Sequence, residues 1–376
     1  MTFKEFMHEP VNSLYAFGED ELRNIKHKIS EKNLVRLKKL AREALNMPLQ
    51  SVTFKKEMVL VQDKHEYESF SIYSWPNPDT EDGLPYIKRD GFQNPKHLEG
   101  DKLALRKLAY AVYYLGIVYY ITKEDIYYQR LREHLFCFFI NPETKMLPNL
   151  NHGQAMLGVN EGQRGGIIDF GVSFGYALAI LQCLKGQGLL DAELLQGMKS
   201  WLKEFKEWLI ASSFGKEMKE CTNNHALVYD YLLLILSVFL DDFYMLVTIK
   251  SRYLERMQQQ ILKDGKMPLE LKRVNSRSYY FMNLKLFIEI GKIISLDIKK
   301  YPLLCAAIDY YGAHDSVERW EYSQEIPFVE EYDNYFYYIA KHYFGIKKYT
   351  LKKSTSLQYI LLEDIYGGGD EIKPIF

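Results

Sequence analysis

Apolar residues recur at three- and four-residue steps along most of the chain, the signature of helices that bury one stripe. In the stretch 103–120, LALRKLAYAVYYLGIVYY, residues Leu105, Leu108, Ala109, Val112, Leu115, Gly116 and Tyr119 fall on one such stripe. The same pattern predicts helices at about 125–140, 166–186, 192–212, 224–240, 243–261, 279–294 and 330–344, with two amphipathic helices before them at about 19–30 and 32–46. Convincing strands are few, and SVTFKKEMVLVQ at 51–62 reads as an irregular or extended excursion. So many medium helices joined by short loops bury their stripes as hairpins, stacked in a solenoid or closed into an α/α toroid. No repeat of fixed period is visible, which counts against the solenoid. No linker or low-complexity break divides the chain. The expected fold is all-α: an incomplete (α/α) toroid of helical hairpins, one domain over residues 1–376.

Composition narrows the partners. Lys plus Arg is 48 and Asp plus Glu is 49, a formal charge of −1, so no global basic field gathers nucleic acid or anionic membrane, and a polyanion needs a local cluster of cations. The first residues, MTFKEFMHEPVNSLYAF, lack a basic-then-apolar leader, and nowhere do about 18 uncharged apolar residues run together. The expectation is a cytoplasmic protein, or an exported one if a leader precedes this chain; oligomeric state is left open. Cys137, Cys183, Cys221 and Cys305 are widely spread without a CxxC and read as buried free thiols. Thirty tyrosines lift the aromatic share to 15%, which suits core filling and sugar platforms equally.

Four polar inserts interrupt the helical pattern, and loops on a rigid scaffold are where binding groups concentrate. The first, 74–91, is SWPNPDTEDGLPYIKRDG. Its turn chemistry explains the prolines, but Trp75, Tyr86, Lys88 and Arg89 would also suit the flat face and carboxylate of an anionic sugar. The second, 147–170, crowds Asn149, Asn151, Gln154, Glu161 and Arg164 ahead of an apolar helix. Amides there either satisfy their own backbone or give and take hydrogen bonds with sugar hydroxyls. The third is CTNNHALVYDYLLL at 221–234, where one short polar residue suffices for an N-cap and Asn224 and His225 are surplus to it. The fourth, 266–283, carries Arg273, Arg277, Tyr279 and Tyr280.

An amide, an imidazole, guanidinium groups and phenols together suit abstraction of a proton α to a carboxylate. The C5 proton of a uronate is weakly acidic because its neighbour is already negative; donors must neutralise that carboxylate before charge spreads into it as an enolate. A histidine or tyrosinate then takes the proton, and a phenol or imidazole protonates the departing glycosidic oxygen. This chemistry calls for no cofactor and no metal. HExxH and P-loop motifs are absent. A glycoside hydrolase needs two carboxylic residues across a cleft, and Asp79, Asp82, Glu161, Asp169, Asp230 and Glu270 are too dispersed to nominate a pair, so hydrolysis stays open as a runner-up.

In order along the chain, SWPNPDTEDGLPYIKRDG, PNLNHGQAMLGVNEGQRGGIID, NNHALVYD and PLELKRVNSRSYYFMNL resemble the alginate lyase superfamily of α/α-toroid polysaccharide lyases, including its glucuronan-cleaving relatives, over about residues 70–295. The resemblance implies β-elimination in a 1,4-linked uronate polymer or oligomer, β-1,4-glucuronan or mannuronate-type alginate, giving 4,5-unsaturated ends. It implies that Asn224 faces the substrate carboxylate, that His225 neutralises it or serves as base, that Arg273 is a further carboxylate partner, and that Tyr279, or alternatively Tyr280, is the catalytic tyrosine. Ala226-Leu227-Val228 after the Asn-His pair, where relatives carry a small residue and then tryptophan, and a single tryptophan in the first motif, depart from the family pattern in ways that bear on sugar subsites. They also keep open a non-catalytic uronan-binding protein. In mannuronate and glucuronate the C5 hydrogen and O4 lie on the same side, so Tyr279 can be both base and acid; in guluronate His225 would be the base and Tyr279 the acid.

Overall fold

The computed structural model describes residues 16–314 and 319–344, together with Leu361. The first segment, 1–15, on which the expectation of no leader rests, lies outside the described residues. Fourteen α-helices appear among them: α1 (Glu19–Lys28), α2 (Glu31–Leu45), α3 (Asp101–Thr122), α4 (Asp125–Leu135), α5 (Ile167–Gly171), α6 (Phe174–Gly186), α7 (Ala192–Ala211), α8 (Ser213–Glu220), α9 (Asn224–Phe239), α10 (Phe243–Gln260), α11 (Pro268–Leu271), α12 (Ser276–Ile293), α13 (Pro302–Ala313) and α14 (Asp333–Phe344). Four short strands complete the list: β1 (Glu68–Phe70) pairs parallel with β4 (His152–Ala155), and β2 (Ser74–Trp75) antiparallel with β3 (Ile87–Lys88).

Helices α3, α6, α9 and α12 pack side by side in that order, while α4 returns against α3, α10 against α9 and α13 against α12. The sequence separates the two layers. In α9 almost every position from Ala226 to Phe239 is buried, as a helix enclosed on all sides requires. Its partner α10 buries one stripe only, Ile249, Tyr253, Arg256, Met257 and Gln260. An inner row of apolar helices with an outer row of amphipathic ones is the expected incomplete α/α toroid. Inner helices approach closely: a Cβ on Gly116 of α3 would stand 2.6 Å from Ile180 Cγ2 of α6.

The tyrosines serve the core first. Tyr110, Tyr113, Tyr114, Tyr176, Tyr231, Tyr253, Tyr280 and Tyr311 are all fully buried. Several expectations need correction. The run 166–186 is two helices, α5 and α6, and the run 125–140 closes in a π-helical turn at Phe136–Ile140. Helices α8, α11 and α13 are additional; the apolar run PLLCAAIDYY of α13 is too short and too uniformly apolar for its period to show. Helix α12 begins at Ser276, before the expected start, because its polar first turn is buried: Ser276 Oγ donates to the Ser323 carbonyl at 2.6 Å and Arg277 pairs with Asp333 at 2.8 Å. Segment 51–62 forms no strand, only a 3-10 turn at Val52–Phe54 and coil. The four cysteines are free, but only Cys137 and Cys183 are buried; Cys221 and Cys305 are half-buried.

Candidate active site

The inner helices α3, α9 and α12, together with the α5–α6 junction, present their N-terminal ends to one cleft of about 470 Å³, within the ~300–1,000 Å³ range of small-molecule sites. Lys102 and Arg106 come from the start of α3, Ile168, Asp169 and Val172 from the junction, Asn223 to His225 from α9, and Ser278, Tyr279 and Met282 from α12. The inserts, their flanks and α8 supply much of the remaining wall: Lys88 from the first insert with Tyr73 and Gln93 flanking it, Gln154 and Arg164 from the second, Glu217 from α8, and Arg273 and Asn275 from the fourth. Five cations therefore face two carboxylates, and the helix N-termini add partial positive charge that favours an anion.

The third insert now has an account. Asn223 is the cap, its Oδ1 accepting from the His225 backbone N–H at 3.2 Å. Asn224 is pinned to Glu270, whose two oxygens accept from the Asn224 backbone N–H and from Nδ2, both at 2.8 Å. The turn is braced from behind by α10: Arg256 donates to the carbonyls of Cys221 and Lys219 while pairing with Asp230, and Gln260 Nε2 donates to the Asn223 carbonyl at 3.3 Å. His225, left half-buried on the cleft wall, has its Nδ1 3.2 Å from Met218 Sδ. Burial, then the charges of Arg273, Arg164 and Lys88, push its pKa down to about 4, so the imidazole is neutral at physiological pH.

Arg273 lies 3.6 Å over the Tyr279 ring and is held there by Asp90, which accepts from Nε at 2.9 Å and from a terminal nitrogen. That hydrogen bond holds the Asp90 carboxyl below its usual range. Tyr279 donates to the Tyr73 hydroxyl at 2.9 Å. Burial, with Tyr73 adding to it, drives the Tyr279 phenol well above its ordinary pKa, and the Arg273 cation only partly opposes this. The resting phenol is protonated.

Gln154 sits at φ 52°, a left-handed conformation unusual for a side chain of its size. Its backbone N–H donates to Ser69 Oγ at 2.8 Å and its Nε2 to Asp169 at 2.9 Å. Asp169 also pairs with Lys102 at 2.9 Å and accepts from Tyr67 and Ser69. Burial would raise its pKa, but the Lys102 charge and the hydrogen bonds from Ser69 and Gln154 outweigh it. Asp169 is thus a committed anchor for Gln154, not a free acid.

Of the residues expected from sequence, Asn224, His225, Arg273, Tyr279, Lys88, Gln154 and Arg164 share this cleft. Trp75, Tyr86, Arg89, Asn149, Asn151, Glu161 and Tyr280 do not line it. Arg89 caps Trp75, 5.6 Å from its ring centroid, and Trp75 Nε1 donates to the Phe92 carbonyl at 2.9 Å, so this pair satisfies itself. Asn149 Oδ1 accepts from the Asn151 backbone at 3.2 Å, and Asn151 Oδ1 accepts from Trp208 Nε1 at 2.9 Å. Glu161 is exposed in a tight turn at φ 52°. Tyr280 is fully buried with its hydroxyl donated to the carbonyls of Gly265 at 2.6 Å and Ala307 at 3.0 Å. Arg277 is buried against Asp333.

Tyr73, Asp90, Lys102 and Arg106 escaped the sequence reading. Lys102 and Arg106 carried a usable signal: they lie four residues apart at the head of an otherwise apolar helix, where cations on one face are costly unless a site needs them. Tyr73 carried none.

Comparisons with known proteins follow this geometry. Residues 51–300 match the family model described as alginate lyase. The structure is similar to that of an alginate lyase from Bacteroides ovatus, with a TM-score of 0.86 at 26% identity, covering 93% of this chain and 98% of that one. It shares its fold with alginate lyase A1-III from Sphingomonas species A1, TM-score 0.57 at 14% identity over 94% and 93% of the two chains. It also shares it with a histidine-to-alanine variant of A1-III complexed with a tetrasaccharide, TM-score 0.60 at 14% identity over 96% and 97%. No match is found among curated proteins. With the family model spanning most of its length and its helices closing into the same toroid, the chain belongs to the alginate lyase family.

Proposed function

We propose that this polysaccharide lyase cleaves a 1,4-linked uronan of the manno or gluco configuration by β-elimination, with Tyr279 taking the C5 proton and returning it to the departing O4. The observation that supports this most is the convergence of Asn224, His225, Arg273 and Tyr279 on one cationic cleft. Arg273 and Lys88 neutralise the carboxylate next to C5, and the neutral His225 imidazole can add a hydrogen bond to it. Arg273 over the ring and Tyr73 beside the hydroxyl are placed to stabilise the phenolate that must form. Hydrolysis fits less well, because Asp169, which lines the cleft with Glu217, is fully engaged. The test is to record absorbance of the unsaturated product with alginate, polymannuronate, polyguluronate and glucuronan. New reducing ends without that absorbance would mean hydrolysis, and saturable binding without turnover would mean a uronan-binding protein.

One observation favours a second reading. A neutral histidine beside a protonated tyrosine is the resting state required for His225 as base and Tyr279 as acid, which suits guluronate. The pH profile separates the two. The upward shift of Tyr279 keeps phenolate scarce at neutrality, so with Tyr279 as base kcat should climb close to tenfold per unit through the alkaline range. With His225 as base, already neutral above its value of about 4, kcat should be flat between about pH 6 and 9. We expect the climb, with activity on mannuronate or glucuronate blocks.

A further inference from the structure

Arg164 is held at the cleft with little to bind. It precedes the Gly165-Gly166 pair of the second insert and is half-buried where the cleft meets a smaller recess of about 70 Å³. Among the described residues it makes no ion pair, and its guanidinium gives a single hydrogen bond, from Nη1 to the Gln154 carbonyl at 3.3 Å. A guanidinium carries five N–H donors, and burial, the strongest influence on this one, pulls its pKa down. Glu217, exposed at the rim, favours the charge from a distance without pairing with it.

The loop that carries Arg164 is fixed. The backbone N–H groups of Arg164 and Gly165 both donate to the Asn151 carbonyl, at 3.0 and 3.3 Å. Gly165, at φ 62°, lies so close to α8 that a Cβ there would stand 2.3 Å from the Phe214 side chain, so only glycine fits. A donor presented from such a backbone loses little freedom on binding.

The recess lies apart from the proton-transfer groups. Arg164 and His225 line both spaces, whereas Arg273, Lys88 and Tyr279 line the cleft alone. Its volume is enough for a few waters or one carboxylate group. In a 1,4-linked uronan every unit carries a carboxylate, so the neighbour of the reacting unit brings a second anion one sugar away from the first. The planar fork of a guanidinium suits the two oxygens of that group.

We propose that Arg164 receives this second carboxylate at the mouth of the recess, and so makes the enzyme select contiguous uronates over chains in which uronate alternates with neutral sugar. This rests on the lyase reading above. A contact one unit away from C5 is equally present in the ground and transition states, so it belongs to binding and not to the chemical step.

The test compares wild type with Arg164→Gln on a uronan that the wild type cleaves, both intact and after part of its carboxylates have been reduced to hydroxymethyl groups. On the intact polymer Arg164→Gln is expected to raise KM about tenfold or more, the scale of a lost hydrogen bond to a charged group, with kcat little changed. Reduction thins the reactive units for both proteins alike, but should raise KM further for the wild type only. The unfolding midpoint should hold, since one long hydrogen bond is all that Arg164 gives to the fold. An unchanged KM in Arg164→Gln, or an equal response of both proteins to reduction, overturns the inference and spares the lyase reading. A fall in kcat at constant KM overturns it too, because it would put Arg164 on the reacting carboxylate. If Arg164→Gln does not fold, Glu217→Gln decides: loss of a carboxylate that competes for Arg164 should lower KM, and an unchanged or raised KM overturns the inference. A wild-type protein that cleaves none of the four uronans removes the lyase reading and this inference together.

Discussion

Replacing Tyr279 by phenylalanine is expected to lower kcat by at least about 10²-fold while leaving substrate affinity nearly unchanged, because proton transfer by a positioned group contributes about 10²- to 10⁴-fold and only the phenolic oxygen is lost. The ring, and with it the platform under Arg273, remains. The neighbouring substitution is the control. Tyr280→Phe removes a hydroxyl that donates to the carbonyls of Gly265 and Ala307 in the core, so its effect should be on stability, about 1–3 kcal/mol, and not on turnover. Steady-state kinetics and thermal unfolding of both variants decide the matter: if Tyr279→Phe turns over normally, proton transfer by the tyrosine has to be abandoned.

The second large effect is expected at Arg273. Its guanidinium is held by Asp90 and stacked on Tyr279, and hydrogen bonding to Asp90 keeps its pKa raised despite burial. Removing a preorganised donor from a developing anion costs about 10²- to 10³-fold in kcat. Arg273→Ala should reach that range and also raise KM, because the carboxylate contact exists before the chemistry. It further leaves Asp90 unpaired beside an anionic substrate, so Arg273→Ala combined with Asp90→Asn should recover part of the lost affinity. Equal KM values in the single and double variants would show that Asp90 does not repel the substrate.

The physical reason one tyrosine reads out and its neighbour does not is helix geometry. Adjacent positions on α12 point about 100° apart, which sends Tyr279 to the cleft and Tyr280 to the core. Sequence spacing carried both alternatives, because which face of a helix meets a cavity is decided by the helices around it. The same holds for the first insert. Its aromatic and cationic residues were legible, yet Trp75 and Arg89 pair with each other while Lys88, between them in kind but not in orientation, reaches the cleft. Strand alternation places successive residues on opposite sides, and nothing in a two-residue strand announces which side faces the site. The inner helices, by contrast, were plain from their apolar content. The α5–α6 break, the short α13 and Tyr73 were not, since each depends on tertiary contacts that no local period encodes.

The shared orientation of the inner helices has a kinetic consequence. A chain with formal charge −1 has little net attraction for a polyanion, but helices that present their N-terminal ends at one rim put their C-terminal ends toward the other, and five cations line the cleft at the first. The field at the cleft mouth then differs in sign and strength from what the net charge alone would give. A uronan would be turned toward the open mouth and away from the far end before any contact forms, and the capture rate should fall as salt shortens the Debye length toward a few ångströms. Orientation during approach then becomes a property of how the helices are threaded, largely independent of overall charge.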